Sequence, residues 1–313
     1  MEITKLGKTS LKISRIGFGC LAIAGFHYGK TDDKESIKAI KKAVKLGINF
    51  FDTADIYGFG KSEKLLASGL GENKDKVVVA TKVGARWDEK KGRKYLDLTP
   101  EYISGAVEKS LENLQINTIP LYQIHYPYLK NKPEETMSAL NMLKKDGKIK
   151  YVGCSNFTLR DLEKYRKYGR IDAIQVPYNL IDQKSEKMIT FAAKKYGMGV
   201  IAYSPLAQGL LSGKFKSKKF SKNDRRSKSQ YFKTESIKKA EPLFRGMEEI
   251  GKKYNKTMTQ VALRWILDNP YVSCMIVGAK TEKEIAEAAG ASGWKLSAKE
   301  RNYLAKLGRK VLK

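Results

Sequence analysis

The sequence predicts an α/β protein: a (β/α)8 TIM barrel with an N-terminal β-hairpin, long loops on the C-terminal face and an extra C-terminal helix. Three observations support this fold. Short apolar, β-prone segments alternate eight times with segments whose apolar residues have helical spacing. Most connections between them are short, which is typical of right-handed parallel crossovers. Polar residues directly follow several of the apolar segments, as they do on the active face of a barrel.

Length and composition agree with this fold. Barrels of this kind often reach 313 residues without splitting, so we predict a single domain over residues 1–313. The longest apolar runs fall short of the roughly 18 residues of a membrane span, and the segment MEITKLGKTS lacks the apolar core of a signal peptide. We expect a cytoplasmic protein without a bound metal, because Cys20, Cys154 and Cys274 are far apart and lack metal-ligand spacing.

The chain is strongly basic. Its net charge of +28, from 61 Lys and Arg against 33 Asp and Glu, raises nucleic acid or an acidic surface as a partner. However, the lysines are spread over nearly every predicted helix, and no nucleic-acid-binding motif is visible. We therefore expect no specific nucleic-acid partner and favour a solvated lysine-rich surface, an adaptation to heat or salt. A nonspecific affinity for polyanions stays open.

Strands are predicted from the apolar segments. Two short alternating runs around Gly7 and Lys8 predict a β-hairpin over residues 1–14. The barrel strands that follow are almost continuously apolar, as expected of strands buried on both faces. They are predicted at residues 15–21, 48–51, 77–81, 119–124, 149–154, 173–176, 199–203 and 274–277.

A helix is predicted after each barrel strand. In the first, Ile37, Ile40 and Ala43 have helical spacing, and Gly47 ends the helix. Proline at the first helical position predicts two further helices, over residues 100–114 and after Pro133. The other helices are predicted at residues 63–70 after Ser62, from Leu159, from Ser185, at residues 259–267 and from Thr281, with the extra C-terminal helix after Ser297.

Two connections are longer than a barrel requires. One spans residues 83–99 and contains Trp87, and the other spans residues 204–254 and includes a basic run. Long loops on the C-terminal face of a barrel usually cover or shape a site. We therefore expect these two loops to flank the site.

Three predicted strands end in polar residues that could form one site. The stretch INFFDTADIY, residues 48–57, has a carboxylate at Asp52, which is costly in a buried strand end unless it is paired. Lys82 and His125 end two other strands. An ammonium group near Tyr57 would stabilise its phenolate, so that this tyrosine could protonate an oxygen on which charge develops. The same spacing also allows a structural ion pair of Asp52 and Lys82 with Tyr57 in a solvent-facing loop.

Seven segments carry a resemblance to a known family. FDTADIYG, ATK, QIH, GCSNF, QVPYNL, AYSPLAQGLLSGKF and IVGAK together resemble the aldo-keto reductases, in that family's order and over essentially the whole chain. The resemblance implies that Asp52, Tyr57, Lys82 and His125 form the catalytic tetrad. It also implies a nicotinamide dinucleotide bound without a Rossmann domain, and indeed no GxGxxG motif follows any predicted strand.

The resemblance also implies cofactor-binding positions. Ser155, Asn156 and Gln175 match groups that hold the carboxamide, and Tyr203 matches the aromatic ring on which the nicotinamide stacks. Taken singly, each is better explained by a structural role: Ser155 and Asn156 by a turn, Gln175 by a core amide and Tyr203 by barrel packing. The shared order of the seven segments favours the cofactor roles instead. The remaining matched positions are the start of the first loop (Gly19, Cys20, Leu21), Asp52, the pyrophosphate loop (Ser204, Pro205, Leu206, Ala207, Gln208, Gly209, Lys214) and the adenosine end (Gly278, Lys280, Glu284, Glu287).

The basic run over residues 214–228 contains eight basic residues and one acid, Asp224. A charge run is usually only solvated. This one lies where the family folds a loop over the cofactor, so we predict that Arg226, and with it Arg225, contacts the dinucleotide phosphates.

Two positions bear on the choice of cofactor. Many relatives carry arginine or glutamine at the position of Glu284 and asparagine at that of Ala288. Glu284 would repel a 2′-phosphate unless Lys280 offsets it. We predict NADP(H) as the preferred cofactor, with NAD(H) possible.

The predicted reaction is the reversible reduction of an aldehyde, ketone or sugar-like carbonyl, with Tyr57 as proton donor. Trp87 and Tyr126, together with Tyr57 and His125, are predicted to contact the substrate, and Phe26 and His27 are further candidates for its wall. The alternative is an NADPH-binding, redox-sensing or regulatory protein with slow turnover, like the β subunits of potassium channels. Those relatives lack the histidine, so the presence of His125 favours an enzyme.

Overall fold

The structure, a computed structural model, describes residues 1–25, 29, 31–88, 93–214, 220 and 224–312. Its strands, in chain order, are β1 (Ile3–Lys5), β2 (Lys12–Ser14), β3 (Ile16–Gly19), β4 (Phe50–Asp52), β5 (Val78–Val83), β6 (Ala85–Asp88), β7 (Arg93–Leu96), β8 (Ile119–Ile124), β9 (Ile149–Ser155), β10 (Ala173–Pro177), β11 (Gly199–Tyr203) and β12 (Cys274–Val277). Its helices are α1 (Asp33–Lys45), α2 (Lys61–Leu70), α3 (Pro100–Leu114), α4 (Pro133–Lys145), α5 (Leu159–Arg166), α6 (Glu186–Tyr196), α7 (Thr234–Tyr254), α8 (Met258–Leu267), α9 (Glu282–Ala289) and α10 (Ala298–Gly308).

Eight of these strands form a closed parallel barrel in the order β3, β4, β5, β8, β9, β10, β11 and β12, with β12 pairing back to β3. The barrel strands are buried over most of their length, as their apolar composition requires. Helices follow the strands and cover the barrel, so the predicted (β/α)8 fold is confirmed. In a barrel of this kind the carboxyl ends of all eight strands meet on one face.

The N-terminal hairpin closes the opposite end of the barrel. Leu6, Leu11 and Ile13 are buried in one cluster with Phe50 and other strand residues. The turn between β1 and β2 approaches β11 so closely that a Cβ atom on Gly7 would lie 2.2 Å from a backbone nitrogen of that strand. Gly7 also has a φ of +55°, which favours glycine. The predicted hairpin is therefore confirmed, and the close approach to β11 explains why its turn contains Gly7.

Helix starts lie where side chains can bond the free amides of the first turn. Helices α5, α8 and α10 each begin with a capping box, in which the N-cap side chain and the third helical side chain bond each other's backbone amides. Pro100 and Pro133 are the first residues of α3 and α4, as predicted. None of the helices in the described part of the chain is long and apolar enough to cross a membrane.

The predicted connection over residues 204–254 is shorter than expected, because its last part is helix α7. Ala240, Leu243, Phe244 and Met247 are buried along one side of this helix, and it packs against α8 and α10. Pro242 lies inside the helix, where it lacks the amide that would bond the preceding turn. The helical spacing of the apolar residues outweighs this proline, and the prediction of a loop there was wrong.

The other long connection contains local structure of its own. Strands β6 and β7 pair as an antiparallel hairpin directly after β5, so the described part of residues 83–99 has regular structure in place of an open loop. Helix α2 starts slightly earlier than predicted, since Ser62 lies inside it and Gly60, with a φ of +87°, precedes its first residue. These differences leave the order of the elements unchanged.

Candidate active site

Asp52 and Lys82 form an ion pair at the carboxyl ends of the neighbouring strands β4 and β5. Lys82 Nζ lies 2.5 Å from Asp52 Oδ1, and both side chains are almost fully buried. Lys82 also donates to the carbonyl oxygen of Thr53 at 2.8 Å. The structure thus provides the partner that the buried carboxylate of Asp52 requires.

The second oxygen of Asp52 is held by two amides from across the barrel. Gln123 Nε2 donates to Asp52 Oδ2 at 3.0 Å, and Gln175 Nε2 donates to the same atom at 2.7 Å. Gln123 was missed in the sequence, although a single amide within the apolar run IPLYQI was the available signal. The predicted contact of Gln175 with a cofactor stays a prediction, since its amide nitrogen here bonds Asp52.

Tyr57 lies on the turn that follows β4, and it is half-buried. Its phenol oxygen is 3.5 Å from Lys82 Nζ, and this nitrogen lies 5.1 Å from the centre of the tyrosine ring. Lys82 therefore contacts both Asp52 and Tyr57. An ammonium group in this position stabilises negative charge on the phenol oxygen.

His125 follows β8 and is buried beside Tyr57. The two rings meet edge to face, with centroids 5.7 Å apart, and His125 stacks on Tyr126 at 4.7 Å. Burial, together with the charges of Lys82 and Lys94, holds the pKa of His125 well below its ordinary value. The imidazole is therefore neutral near pH 7, with one nitrogen that can donate and one that can accept. Within the described residues, His125 Nδ1 has no hydrogen-bond partner.

A polar group next to His125 is built from the ends of β9 and β11. Asn156, with a φ of +63°, donates to the carbonyl oxygen of His125 at 2.9 Å and to Ser155 Oγ at 3.1 Å. Its side-chain oxygen accepts from the Tyr203 hydroxyl at 2.7 Å. Burial raises the pKa of Tyr203, so this phenol keeps its proton. Ser155, Asn156 and Tyr203 are thus brought together as the sequence predicts.

The predicted pyrophosphate loop has unusual backbone geometry. Ser204, Ala207 and Gln208 have φ angles of +54°, +48° and +59°, and Gly209 has +100°. Non-glycine residues adopt such angles rarely, and they do so mainly where function or packing demands it. In the described part of the chain, the buried Gln208 Oε1 lacks a hydrogen-bond partner. A loop with an orphan acceptor and this backbone fits the binding of a polar ligand such as a dinucleotide.

Charged residues surround the predicted adenosine end. Lys214 Nζ pairs with Glu287 Oε2 at 2.8 Å, which joins the loop to α9. Arg226 donates two hydrogen bonds to Asp224, at 2.9 and 2.7 Å. Burial and the nearby Arg226 lower the pKa of Lys280.

Glu284 turns back toward its own helix terminus. Its Oε2 accepts the backbone N–H of Lys280 at 2.7 Å, and its own N–H bonds Thr281 Oγ1 at 3.3 Å. The carboxylate therefore lies at the N-terminus of α9, where a helix attracts anions. Glu284 and Lys280 are therefore close together, and their opposing effects on a 2′-phosphate stay a prediction.

The first loop lies next to Gly278, in the segment that precedes α9. Gly19 pairs with Asp52 in the barrel, and a Cβ atom on Gly278 would lie 3.7 Å from the Gly19 carbonyl oxygen. Cys20 is buried and its carbonyl oxygen accepts from Ser62, whereas Leu21 is half-buried. The structure therefore places these predicted residues next to the strand ends that carry Asp52 and Gly278.

Aromatic residues form the rim of the site. Trp87 on β6 lies 6.2 Å from Phe59, between ring centres, and Lys94 on β7 covers the Tyr126 ring at 3.7 Å. The sequence analysis missed Phe59 and Lys94. Phe59 is a single aromatic residue between two glycines, and Lys94 lies in the charged run DEKKGRK, which is typical of a solvated loop. Two further predicted wall residues, Phe26 and His27, lie outside the described residues.

Comparisons with known proteins agree with this geometry. The sequence model of the Aldo/keto reductase family matches residues 15–309. An aldo-keto reductase of Bacillus subtilis (strain 168), YhdN, is 33% identical over 304 residues, with 96% of this chain and 91% of the relative covered. The NADH-specific methylglyoxal reductase of Escherichia coli (strain K12) is 32% identical over 311 residues, with 95% of each chain covered.

Solved structures show the same likeness. A glycerol dehydrogenase from Gluconobacter oxydans superposes with a TM-score of 0.91 at 34% identity and covers 99% of this chain and 96% of its own. The holo form of an aldo-keto reductase from Bacillus halodurans gives a TM-score of 0.82 at 27% identity, with 98% and 96% covered. The chain therefore belongs to the aldo-keto reductases, oxidoreductases that reduce carbonyl groups with NAD(P)H.

Proposed function

We propose that this protein reduces an aldehyde, ketone or sugar-like carbonyl with NAD(P)H, reversibly, and that Tyr57 gives the proton. The single observation that supports this most strongly is the position of Lys82 Nζ, 2.5 Å from Asp52 and 3.5 Å from the Tyr57 phenol. When bound, the nicotinamide supplies the hydride. The residues of the chain have to hold the two reactants and deliver the proton.

Tyr57 is the proton donor in this proposal. Its phenol proton passes to the carbonyl oxygen of the substrate, and the phenolate that remains is stabilised by the ammonium of Lys82. Asp52 keeps Lys82 charged although it is buried. Gln123 and Gln175 hold the carboxylate of Asp52 in the orientation that the ion pair needs.

His125 is proposed to orient the substrate. Because the imidazole is neutral, it is a poor proton donor to a carbonyl, but it can still donate a hydrogen bond from one nitrogen. The edge of its ring lies beside Tyr57. An oxygen that accepts from both His125 and Tyr57 would be placed for protonation by the phenol.

The cofactor is proposed to lie across the strand ends from Tyr203 to α9. Ser155, Asn156 and Gln175 would hold the carboxamide, Tyr203 would stack on the nicotinamide, and residues 204–209 with Lys214 would hold the pyrophosphate. Burial raises the pKa of Tyr203, and the charge of Arg225 partly opposes this rise. Arg225 is therefore near the Tyr203 phenol. The segment that carries Arg225 and Arg226 is therefore close to this path.

NADP(H) is the proposed preferred cofactor, with NAD(H) possible. Arg226 is near enough to Lys280 to lower the pKa of that ammonium group, and a 2′-phosphate would relieve the repulsion. Glu284 opposes the phosphate. The Escherichia coli relative is NADH-specific, so NAD(H) use has a precedent among the relatives.

Glu284→Gln is expected to raise the ratio of kcat/KM for NADPH to that for NADH by about 10-fold, or about 1.4 kcal/mol. The amide oxygen can still accept the N–H of Lys280, while the charge that repels a 2′-phosphate is removed. Steady-state kinetics with both cofactors measures the ratio. Glu282→Gln, in the same turn of α9, is the control and should leave it unchanged. An unchanged ratio in Glu284→Gln would show that Glu284 does not face the 2′ position.

Arg226→Ala is expected to raise the Kd for NADPH about 10-fold, because a charge-assisted contact to a phosphate is lost. Fluorescence titration of NADPH at two salt concentrations measures the Kd, and the difference from wild type should shrink at high salt. Arg226→Ala also removes the partner of the Asp224 carboxylate. The double variant Asp224→Asn/Arg226→Ala, which lacks that charge, is therefore measured alongside. Lys228→Ala, in the same 3-10 turn, is the control. An Arg226→Ala protein with wild-type Kd would refute the predicted contact.

NADPH and NADH oxidation against a panel of aldehydes, ketones and sugars tests the function itself. Methylglyoxal and, in the oxidative direction, glycerol belong in the panel, because two relatives are named for these compounds. Turnover with any member supports the proposal. Tight NADPH binding without turnover would favour the regulatory alternative instead.

We also propose that residues 1–313 fold as a single domain and that the protein is cytoplasmic, without a specific nucleic-acid partner. The barrel strands extend from residue 16 to residue 277, and α10 packs back onto α7. All three cysteines are buried thiols, which agrees with a reducing compartment.

A further inference from the structure

We propose that Asp55 is a positioning residue for Tyr57: bound by Tyr102, it fixes the turn that carries the phenol and links this turn to the β6–β7 hairpin. The inference rests on the proposed role of Tyr57 as proton donor. Asp55 lies two residues before Tyr57, and its backbone N–H bonds the carbonyl oxygen of Lys82 at 3.4 Å. Its carboxylate is not part of the Asp52–Lys82 ion pair, so its role differs from theirs. Its evidence is a continuous set of contacts from the turn to the hairpin.

Asp55 holds the turn from within. Its Oδ1 accepts the backbone N–H of Ile56 at 2.6 Å, and its carbonyl oxygen accepts the N–H of Gly60 at 2.9 Å. The turn is also bonded from the Tyr57 N–H to the Ala54 carbonyl oxygen at 3.1 Å. Two hydrogen bonds of this turn are accepted by Asp55, so the position of the Tyr57 phenol depends on this residue.

Tyr102 fastens this turn to the neighbouring helix. Its hydroxyl donates to Asp55 Oδ2 at 2.9 Å, and its residue lies in the first turn of α3. Hydrogen bonds to a carboxylate are stronger than those between neutral groups. Tyr102 is thus the one described side chain outside the turn that bonds the Asp55 carboxylate in the structure.

Arg86 extends the set of contacts to the hairpin. Its guanidinium lies 4.7 Å from the centre of the Tyr102 ring and pairs with Asp97 at 2.8 Å. Asp97 in turn accepts the N–H and hydroxyl of Thr99, the N-cap of α3. The hairpin strand β6, the helix start and the Tyr57 turn are therefore held as one unit.

A second contact joins the same two segments at the rim. Phe59, at the far end of the turn, packs against Trp87 of β6 with ring centres 6.2 Å apart. Trp87 directly follows Arg86. Tyr57 thus lies between two links to the hairpin, one through Asp55 and one through Phe59, and a shift of the hairpin would be transmitted to the phenol.

The charge on Asp55 makes this arrangement sensitive to pH. Burial and the carboxylate of Glu63 on α2 raise the pKa of Asp55 to about 7, while the bond from Tyr102 and the charge of Lys82 on β5 oppose the rise. A cavity of about 660 Å³ between α2 and α3, lined by Asp55 and also by Arg86, Asp97 and Lys109, gives solvent a path to the carboxyl. Ionised Asp55 accepts both hydrogen bonds, whereas the protonated acid must use one oxygen as a donor.

Tyr102→Phe tests the link most directly, because it removes the hydroxyl and keeps the ring under Arg86. We expect kcat for carbonyl reduction to fall about 10-fold or more, since a small displacement of a reacting group is enough for that, while the Kd for NADPH stays unchanged. Amide hydrogen exchange in residues 53–62 should become faster. This exchange measurement needs no catalysis, so it tests the inference even if the protein turns over no carbonyl.

The matched control is Tyr178→Phe. Tyr178 also donates a hydrogen bond to a carboxylate, that of Glu186 at 2.9 Å, and it is buried among helix residues such as Trp265. Tyr178→Phe should lower Tm about as much as Tyr102→Phe does. It should leave kcat and amide hydrogen exchange in residues 53–62 at wild-type values. The contrast separates positioning of Tyr57 from a general loss of stability.

The pH profile gives the second readout. In the wild type we expect log kcat to rise as the pH increases through about 7, where Asp55 ionises, and we expect this rise to be absent in Asp55→Asn. If Tyr102→Phe kept the wild-type kcat and exchange rates, or if Asp55→Asn kept the rise near pH 7, the inference would be overturned. Absence of all turnover in an otherwise folded wild type would instead overturn the proposed function.

Discussion

Tyr57→Phe is expected to lower kcat for carbonyl reduction by about 10²–10⁴-fold, the usual contribution of a positioned general acid. The substitution removes the oxygen that lies 3.5 Å from Lys82 Nζ, while the ring can still pack beside His125. The Kd for NADPH should not change, because the phenol is not among the predicted cofactor contacts. Stopped-flow turnover and fluorescence titration measure the two quantities.

Tyr151→Phe is the control for this prediction. The Tyr151 hydroxyl bonds Ser10 at 2.9 Å, near the N-terminal hairpin and at the other end of the barrel, so its removal should leave kcat unchanged. Wild-type activity in Tyr57→Phe would refute the assignment of Tyr57 as proton donor. A fall in kcat accompanied by an equal loss of NADPH binding would point to damage of the cofactor site instead.

Lys82→Met is expected to abolish turnover and to lower the free energy of unfolding by about 3–5 kcal/mol at pH 7, because it leaves the Asp52 carboxylate buried without its cation. Gln123 and Gln175 still donate to that carboxylate, but neutral amides do not compensate a buried charge. The loss should shrink at lower pH, since Asp52 can then be neutralised by a proton. Denaturant unfolding at two pH values measures it.

The double variant Asp52→Asn/Lys82→Met separates stability from catalysis. Without a buried charge it should recover most of the lost stability, yet remain inactive because no ammonium faces Tyr57. Lys253→Met removes one partner of the exposed pair with Glu300 and should cost at most about 1 kcal/mol. If Lys82→Met lowered the free energy of unfolding no more than Lys253→Met does, the charge of Lys82 could not be what compensates the buried carboxylate of Asp52.

The barrel could be predicted because its strands differ from its helices in a simple way. Segments such as IPLYQI and GVIAY are short and almost continuously apolar, as expected of strands in a parallel sheet covered on both faces. Helix α7 was missed because Pro242 and a polar composition resemble a loop, whereas its burial depends on packing with α8 and α10. The helical spacing of Ala240, Leu243, Phe244 and Met247 was the available signal.

The candidate site could be predicted in part, for a similar reason. Residues at strand ends, such as Asp52, Lys82 and His125, converge because the barrel brings all strand ends to one face. Gln123 lies within a strand, and only the closed barrel reveals that its amide reaches Asp52. The bond from Tyr102 to Asp55 joins residues that are 47 positions apart, and nothing in either local segment indicates it.

The N-terminal hairpin has a consequence for how the chain folds as it is synthesised. Lys8 bonds the carbonyl oxygen of Gly197, and Glu2 bonds both Arg264 and Ser292, more than 260 positions along the chain. These residues are therefore synthesised well before the residues that they contact. Until those partners are available, the apolar side chains of the hairpin are exposed. Contacts between distant parts of a chain form slowly, and apolar surface exposed in the meantime favours association between chains.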